Sequence, residues 1–322
     1  MRFVVYGVGA IGGCVAAALA LAGEDVAGIA RGAQLEAIRD RGLLLRTPDR
    51  TAMARFDCYA GPEEIGVRDD DVVLLTMKTQ DTAAALERLR DAGVDKHPVL
   101  CVQNGVANER MAARFFPNVY GVTVMMPAVY LVPGEVNVFS LPRHGIFGVG
   151  RFPSGRDATV DAICAALERA NIAAFPRDDV MAGKYGKLLL NLGNVIEARL
   201  GPEVASRELY APVRREAEAV YRAAGVVARN VGEDDPRRQE LMQQHEIDGV
   251  SRTGGSSTQS LVRGTGSIET DYLNGEIVLL GRLHGVPTPL NAALVALGQE
   301  LVGKGAKPGS MSDADLRKRL GI

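Results

Sequence analysis

Short apolar runs alternate with helical patterns over the first part of the chain. β-Branched and other apolar residues fill positions 3–6, 26–30, 72–77 and 99–103, and helical patterns cover 11–22, 33–41, 82–92 and 108–116. Continuous apolar runs of this length are typical of parallel strands that are buried on both faces. The alternation therefore predicts a doubly wound α/β sheet.

The alternation of predicted strands and helices ends near residue 177. Strands are still predicted at 119–130, 136–140, 145–149 and 172–175, whereas long helical patterns dominate beyond, at 180–200, 212–224, 268–284 and 290–302. We therefore predict an α/β domain over 1–177 and an all-α domain over 178–322. A polar stretch rich in Ser, Thr and Gly interrupts the helical half at 249–266, and loops of this length are often functional.

A glycine pattern joins the first predicted strand to the first predicted helix. Gly7, Gly9 and Gly12 form G-x-G-x-x-G directly after the strand, with Ala10 and Ile11 inside the pattern. The first glycine would allow a tight turn, the second would admit a pyrophosphate, and the third would let the helix pack closely on the strand. We therefore predict a Rossmann-type domain in which residues 7–12, at a helix N-terminus, bind a dinucleotide.

The same stretch has one rival interpretation. Arg2 followed by apolar residues up to position 22 could form a secretory signal peptide. However, the basic region is a single residue, and glycines at 7, 9, 12 and 13 interrupt the apolar run. The dinucleotide site is the better explanation.

Residues at the carboxyl ends of the predicted strands indicate which dinucleotide binds, since ligands of such sheets lie there. Arg31 ends the second strand, where an NAD site usually carries an acid, and Lys78 and Asn104 follow two later strands. Arg31 would attract a 2′-phosphate, Lys78 could reach the same group, and Asn104 could bind the nicotinamide side or the substrate. We therefore expect NADPH. The alternatives are solvated loop residues at 31 and 78 and a simple Asn104-Gly105 turn.

Two further candidates lie in the helical half. Lys187, Asn191 and Asn194 are spaced i, i+4 and i+7, which places them on one face of the helix predicted at 180–200. A lysine among apolar residues is a candidate general acid. Glu269, at the start of another predicted helix, could orient Lys187 or a ribose hydroxyl. Alternatively, the polar stripe merely bridges helices, and Glu269 is only an N-terminal charge.

Composition indicates which partners, metals and cellular compartment to expect. The chain has 322 residues, 47% of them hydrophobic, and a net charge of −2, which gives no reason to expect nucleic acid as a partner. No run reaches the roughly 18 apolar residues that a membrane span requires. The His residues lack metal-ligand spacing, so we expect no metal. Cysteines at 14, 58, 101 and 164 form no CxxC pair and indicate buried thiols in a reducing, cytoplasmic compartment.

Taken in order, these motifs resemble those of the ketopantoate reductase (2-dehydropantoate 2-reductase) family. The resemblance spans nearly the whole chain and rests on the glycine pattern, Arg31, Lys78, Asn104-Gly105, Lys187-Leu-x-x-Asn191, Ser256-Ser257 and Glu269-x-Asp271-Tyr-Leu-Asn-Gly275. It implies a Rossmann domain, a helical C-terminal domain, and reduction of a 2-oxo acid by NADPH. The expected reaction converts ketopantoate to pantoate in pantothenate and coenzyme A biosynthesis.

The resemblance also implies a role for each motif residue. Lys187 would be the general acid, and Glu269 would order that lysine and the nicotinamide ribose. The substrate would be held by Asn104, Asn191 and Ser257. Asn194, which stands one residue before the family's usual second Asn and on the same side of the helix, could take the place of that Asn as a further substrate ligand. The cofactor phosphate would be held by Arg31 and Lys78. A homodimer is possible, because the helical domain could pair with a second copy.

Three departures from the family pattern leave the substrate open. Val195 stands where a second Asn is usual, Gly254 replaces an Asn that often precedes the Ser-Ser pair, and Leu261 replaces an acid. Because all three positions are expected near the substrate, the same hydride chemistry on a different branched 2-oxo acid is an alternative. A non-catalytic NADP(H) sensor is another, although such a protein would need only the first half of the chain.

Overall fold

The computed structural model describes residues 1–202, 204, 207–232, 235–264 and 266–322. These residues form two compact units. One contains Met1–Lys184 and Asn230–Ser251, and the other contains Tyr185–Arg229 and Arg252–Ile322. The division thus falls slightly after the boundary expected at 177, and the chain returns to the first unit over Asn230–Ser251.

The first unit is built on a mainly parallel sheet. Its described strands have the order β13-β12-β8-β7-β6-β1-β2-β5. They are β1 Arg2–Tyr6, β2 Asp25–Ile29, β5 Asp57–Tyr59, β6 Asp71–Leu75, β7 Val99–Cys101, β8 Val119–Met125, β12 Ile146–Arg151 and β13 Ala173–Pro176. Only the β8–β12 pair among them is antiparallel. This arrangement confirms the predicted doubly wound α/β architecture.

Smaller sheets accompany the main one. The order β4-β3-β10-β9 describes a second sheet, and β11 pairs with β14. Their bounds are β3 Leu43–Arg46, β4 Thr51–Ala54, β9 Ala128–Val129, β10 Glu135–Val138, β11 Ser140–Pro142 and β14 Met242–Gln244. Strand β14 was not expected, because that part of the chain reads as helical. Its pairing with β11 explains why Asn230–Ser251 belongs to the first unit.

The helices of the first unit follow the predicted alternation. They are α1 Ala10–Leu21, α2 Gly32–Arg41, α3 Thr82–Asp91, α4 Asn108–Ala112, α5 Ala158–Arg169 and α9 Pro236–Leu241, with 3-10 turns at Pro62–Glu64 and Thr79–Asp81. Helix α1 contacts strands of both the main and the second sheet, which explains why Gly12–Leu19 are all buried. Phe3 and Val5 enter one core cluster and Val4 the other, so β1 is buried on both faces. The four cysteines are also buried, as expected.

The second unit is helical. Its helices are α7 Asn194–Leu200, α8 Arg207–Ala224, α10 Ser256–Val262, α11 Asn274–His284, α12 Pro289–Gly303 and α13 Asp313–Leu320, with a 3-10 turn at Thr270–Tyr272. Helix α6, Val180–Asn191, crosses the division between the units. None of the helices in the described ranges combines the length and apolar character needed to cross a bilayer.

The helix predicted over 180–200 is interrupted between α6 and α7. The Tyr210 hydroxyl donates to the Leu189 carbonyl at 2.5 Å, and the Asn274 amide donates to the Leu192 carbonyl at 3.1 Å. These carbonyls would otherwise accept helical N–H groups one turn later, and side chains that insert in this way break a helix. Gly193, a poor helix former, occupies the break. The single-helix prediction is therefore wrong here.

Candidate functional site

The glycine turn has the geometry that its spacing predicted. Gly7 has a φ of +107°, and a Cβ on it would lie 2.8 Å from the Met77 amide nitrogen. A Cβ on Gly12 would lie 2.3 Å from Thr76 Oγ1 and 2.4 Å from the Gly7 carbonyl oxygen. Around Gly9 the nearest atom would be 3.9 Å away. The first and third glycines are thus required by packing, whereas Gly9 leaves space that a ligand can use.

Helix α1 presents its N-terminus at this turn. Gly9 is the N-cap residue, and the first turn contains no acidic side chain. The Gly13 amide donates to the Gly9 carbonyl at 2.8 Å, so helix geometry leaves the amides of Ala10, Ile11 and Gly12 without an intrahelical acceptor. These N–H groups and the helix dipole suit a pyrophosphate. The residues present therefore fit the dinucleotide that the sequence predicts.

Arg31 lies at the N-terminus of α2, beyond the end of β2. Its side chain is 79% exposed, and its Nη2 atom lies 3.8 Å from Asp81 Oδ2. Asp81 follows Lys78 within the loop after β6, so the structure brings Arg31 to the loop that carries the second predicted phosphate ligand. An exposed, long ion pair contributes little and can be displaced. Sequence reasoning missed Asp81, which would oppose a phosphate here.

A buried polar network supports Asn104. The Gln103 amide donates to the Met77 carbonyl and to Thr82 Oγ1, both at 2.8 Å. Thr82 donates to Asn108 Oδ1 at 2.9 Å, and the Asn108 amide donates to the Asn104 carbonyl at 3.0 Å. The loops after β6 and β7 are thus tied together, and Asn104 is half-buried within this network.

A charged pair lies at the base of the same loop. Lys184, on α6, pairs with Glu109, on α4, and their side chains are 2% and 0% exposed. Burial raises the pKa of the Glu109 carboxyl, and the Lys184 ammonium opposes that shift. Sequence reasoning passed over both residues, since nothing in the helical spacing distinguishes Lys184 from a solvated lysine. The signal that was present is a second lysine in a largely apolar helix, three residues before Lys187.

In the helical unit, α6 carries two of the predicted substrate-facing residues. Lys187 is half-buried, and Asn191, four residues later, is 6% exposed. Within the described part of the chain, Asn191 Nδ2 is buried and has no hydrogen-bond partner. Such a donor is costly unless a ligand satisfies it, so the atom fits an oxygen of a bound substrate. Asn194 lies beyond the helix break, at the start of α7, so it does not belong to the α6 stripe.

Asn194 instead joins the Ser-Ser segment. Its amide donates to Ser256 Oγ at 3.3 Å, and the neighbouring Ser257 is 4% exposed. Both serines belong to α10, which lies within the stretch that the sequence predicted as a loop. That prediction is wrong because α10 packs on α7, a tertiary contact that polar composition does not reveal. Asn194 and Ser257, two predicted substrate ligands, therefore belong to neighbouring elements.

Glu197 on α7 holds the N-terminus of α10. Its Oε1 atom accepts a hydrogen bond from the Gly255 amide at 2.6 Å and another from Thr258 Oγ1 at 3.1 Å. A Cβ on Gly254, whose φ is +80°, would lie 2.4 Å from the same oxygen. The glycine that departs from the family pattern is thus matched to this carboxylate. Val195, the second departure, is 1% exposed and packs in the core.

Glu269 lies before the turn Thr270–Tyr272 and is 9% exposed. The expectation that it begins a long helix is wrong, since α11 starts at Asn274. Asn274 is buried and is fixed by its bonds to the Leu192 carbonyl and to Asn291 Oδ1, which sets the start of the helix. Glu269 remains a buried carboxylate of the same unit as Lys187. In the described residues, no group of three or more His, Cys, Asp or Glu is placed to hold a metal ion.

The mainly parallel sheet, the glycine turn and the open helix N-terminus define a dinucleotide-binding protein with an additional helical unit. The family described as "Ketopantoate reductase PanE/ApbA" matches residues 3–153, and its C-terminal domain matches 179–301. The chain belongs to the ketopantoate reductase family, whose members are nicotinamide-dependent oxidoreductases. This confirms the resemblance found in the sequence.

Relatives match over almost their entire length. A 2-dehydropantoate 2-reductase of Mesorhizobium japonicum is 32% identical over 331 residues, which cover 94% of this chain and 98% of the relative. The Pyrococcus horikoshii enzyme of the same name is 28% identical over 95% of this chain and 100% of its own length.

Solved structures give the same family and fold. A PanE/ApbA family ketopantoate reductase from Ralstonia eutropha JMP134 superposes with a TM-score of 0.78 at 28% identity, covering 95% of this chain and 99% of that one. D-mandelate dehydrogenase, solved with NADH and anilino(oxo)acetate, also gives 0.78 at 21% identity, over 95% of this chain and 99% of that one. The second likeness concerns the fold alone.

Proposed function

We propose that this protein reduces a 2-oxo acid to a 2-hydroxy acid with NADPH, and that ketopantoate, reduced to pantoate for pantothenate biosynthesis, is the first substrate to test. The observation that carries the proposal is on α6, where the Lys187 side chain lies one helical turn from Asn191, whose buried Nδ2 atom has no hydrogen-bond partner among the described residues. Relatives named 2-dehydropantoate 2-reductase match the chain from end to end, which supports the same reaction.

The residues have the chemistry that the reaction needs. NADPH, when bound, supplies a hydride to the C2 carbonyl carbon of the acid. Negative charge then develops on the carbonyl oxygen, where Lys187 donates its proton and its positive charge stabilises the developing alkoxide. The Asn191 amide donates a hydrogen bond to an oxygen of the same substrate, and Asn194 and Ser257 contribute further polar contacts. Glu269 orients the lysine.

The preference for NADPH over NADH rests on the end of β2. Arg31 stands where an acid would bind the ribose of NADH, and Lys78 lies in the loop that Arg31 approaches through Asp81. We expect Arg31→Ala to weaken NADPH binding about tenfold and to leave NADH binding unchanged, since one charge-assisted bond is lost at an exposed site. Asp81→Asn should strengthen NADPH binding about two- to fivefold, because it removes a competing carboxylate.

A control variant shows whether the effect on NADPH binding comes from losing any exposed arginine or from losing Arg31 in particular. Arg90 is 57% exposed and pairs with Asp91 on the same unit. Arg90→Ala should change neither cofactor's dissociation constant. Equal losses for NADPH and NADH in Arg31→Ala would contradict the assignment of the 2′-phosphate to Arg31.

A second candidate function is the same hydride transfer to a different 2-oxo acid. Glu197 and Gly254 favour it, because a carboxylate stands where family members usually present an amide side chain. A negative charge at this place would repel an acidic group on the far end of a substrate. Dicarboxylic 2-oxo acids would therefore be disfavoured, whereas ketopantoate and other monocarboxylic 2-oxo acids would be accepted.

Turnover of a panel of 2-oxo acids distinguishes these functions. The protein is mixed with NADPH and each acid, and oxidation of the reduced nicotinamide is followed by absorbance. Highest kcat/KM with ketopantoate supports the first candidate, and a clear preference for another acid supports the second. Tight NADPH binding without turnover of any acid would instead indicate a sensor. Lys187→Ala should lose most of kcat and still bind NADPH, whereas Lys304→Ala, at a 71% exposed lysine, should keep full activity.

A further inference from the structure

Lys184 and Glu109 form a buried ion pair in the first unit, and the lysine ammonium contacts three acceptors there. The Lys184 ammonium donates to Glu109 Oε1, to the Gln103 carbonyl at 3.1 Å and to the Cys101 carbonyl at 3.5 Å. Cys101 ends β7 and Glu109 lies in α4, so the pair is anchored on both sides of the loop that contains Asn104. One of these acceptors, the Gln103 carbonyl, belongs to the peptide directly before Asn104.

Stability does not explain the pair. Two charges taken out of water lose hydration that their attraction barely replaces, and apolar residues of similar volume are often as stable or more stable. Among the described residues, the second oxygen of Glu109, Oε2, is buried and lacks a hydrogen-bond partner. A buried acceptor left in this state lowers stability further. The contribution of the pair therefore lies in the backbone groups that it holds in place.

It holds one of the two peptide groups that flank Asn104. The preceding peptide is fixed through the Gln103 carbonyl, which accepts from Lys184. The following peptide is fixed through the carbonyl of Asn104 itself, which accepts from the Asn108 amide at 3.0 Å. With both peptide planes tied, the direction in which the Asn104 side chain leaves the backbone is set. Glu109 holds the Lys184 side chain in place for these contacts.

We propose that Lys184 and Glu109 are positioning residues for the reductase reaction, which act through the backbone of Gln103 to aim the Asn104 side chain. The inference rests on the proposed function, in which Asn104 binds the nicotinamide side or the substrate. Hydride transfer requires close alignment, and a misplacement of about 1 Å can lower the rate on the order of a hundredfold. Neither residue touches the reacting atoms.

The test removes the whole pair, because removing one partner alone would leave an unpaired buried charge and risk unfolding. The variant is Lys184→Met combined with Glu109→Leu. The matched control is Arg2→Met combined with Asp71→Leu, since that pair is also buried, at 9% and 1% exposure with a 2.6 Å bond, but lies where β1 and β6 begin. Strand beginnings are at the sheet edge opposite to the cofactor loops.

Kinetics of the folded variants give the decisive readout. We expect the Lys184/Glu109 variant to keep its melting temperature within a few degrees and to lose about 10- to 100-fold in kcat, with a smaller change in KM for NADPH. The Arg2/Asp71 control should keep the parent kcat. Adding Asn104→Ala to the first variant should cause little further loss, because the pair acts through that side chain. Unchanged kcat, or losses that simply multiply, would overturn the proposal.

Hydrogen exchange separates this proposal from the proposed function. If the parent protein turns over no 2-oxo acid, the reductase function fails on its own. The positioning claim is then judged from amide exchange over residues 102–107. Fast exchange in the Lys184/Glu109 variant, with the parent and the control protected, supports it, and equal protection in all three proteins overturns it.

Discussion

Two glycines of the dinucleotide turn should respond to the same substitution in opposite ways. Gly12→Ala places a methyl group 2.3 Å from Thr76 Oγ1 and 2.4 Å from the carbonyl oxygen of Gly7. Thr76 can rotate, but the backbone oxygen cannot, so the overlap must shift α1 against the sheet. Gly9→Ala places its methyl group in open space, with the nearest atom 3.9 Å away.

The expected magnitudes follow from these contacts. Overpacking at a fixed backbone atom costs about 3 kcal/mol, and the better helix propensity of alanine returns up to about 1 kcal/mol, which leaves a net loss of about 2 kcal/mol for Gly12→Ala. The melting temperature should fall by about 4–8 °C. Gly9→Ala should lose less than about 1 kcal/mol, since alanine is a poorer N-cap than glycine. If the diphosphate binds at these amides, as we propose, the methyl group blocks it, and NADPH should bind about 10- to 150-fold more weakly.

Thermal unfolding without cofactor and NADPH titration by fluorescence measure the two effects separately. Gly23→Ala is not a suitable control because Gly23 has a φ of +83°. The parent protein serves as the reference instead. Its melting temperatures with and without excess NADPH show how far cofactor binding alone raises the melting temperature. Full NADPH affinity in Gly9→Ala would refute the placement of the diphosphate at this turn. Equal loss of stability in both variants would refute the packing argument.

Further predictions concern single buried polar groups. Asn191→Leu removes an amide that has no partner among the described residues, so it should raise the free energy of unfolding by about 1 kcal/mol in denaturant titrations. The same variant should lower kcat/KM for the 2-oxo acid. A variant less stable than the parent would contradict the prediction. Burial lowers the pKa of His144 to about 4, so protonation favours the unfolded state as the pH falls from 6.5 to 4. His144→Gln should reduce the loss of stability over that window by about 3 kcal/mol, and identical pH profiles would refute it.

The sequence predicted those parts of the molecule that depend on local pattern. The apolar runs at β1, β2, β6 and β7 were recognisable because a strand buried on both faces is apolar over most of its length. The turn at Gly7 was recognisable because few residues can replace glycine there. The helical second unit followed from the long helical patterns beyond residue 177, and the family followed from motifs whose order is conspicuous even in one chain.

Features that depend on distant contacts were not predictable. The break between α6 and α7 requires the Tyr210 hydroxyl, which reaches Leu189 from another helix. The helix α10 reads as a loop until its packing on α7 is known. Lys184 reads as a surface lysine until Glu109, 75 positions earlier, is placed beside it. In each case the deciding partner lies far away in sequence, so periodicity within a window carries no information about it.

One departure from the family pattern, Gly254, is matched to a neighbouring carboxylate in the helical unit. Gly254 cannot become Asn while Glu197 holds its present position, since even a Cβ would lie 2.4 Å from the carboxylate oxygen. Nor can Glu197 be lost without freeing the Gly255 amide and the Thr258 hydroxyl at the start of α10. The two residues must therefore change together, and substrate preference would be altered by the pair and not by either alone. A double-mutant cycle on kcat/KM with Gly254→Asn and Glu197→Ala should show strong coupling between the two substitutions. Additive effects would show that this contact at the start of α10 does not determine substrate preference.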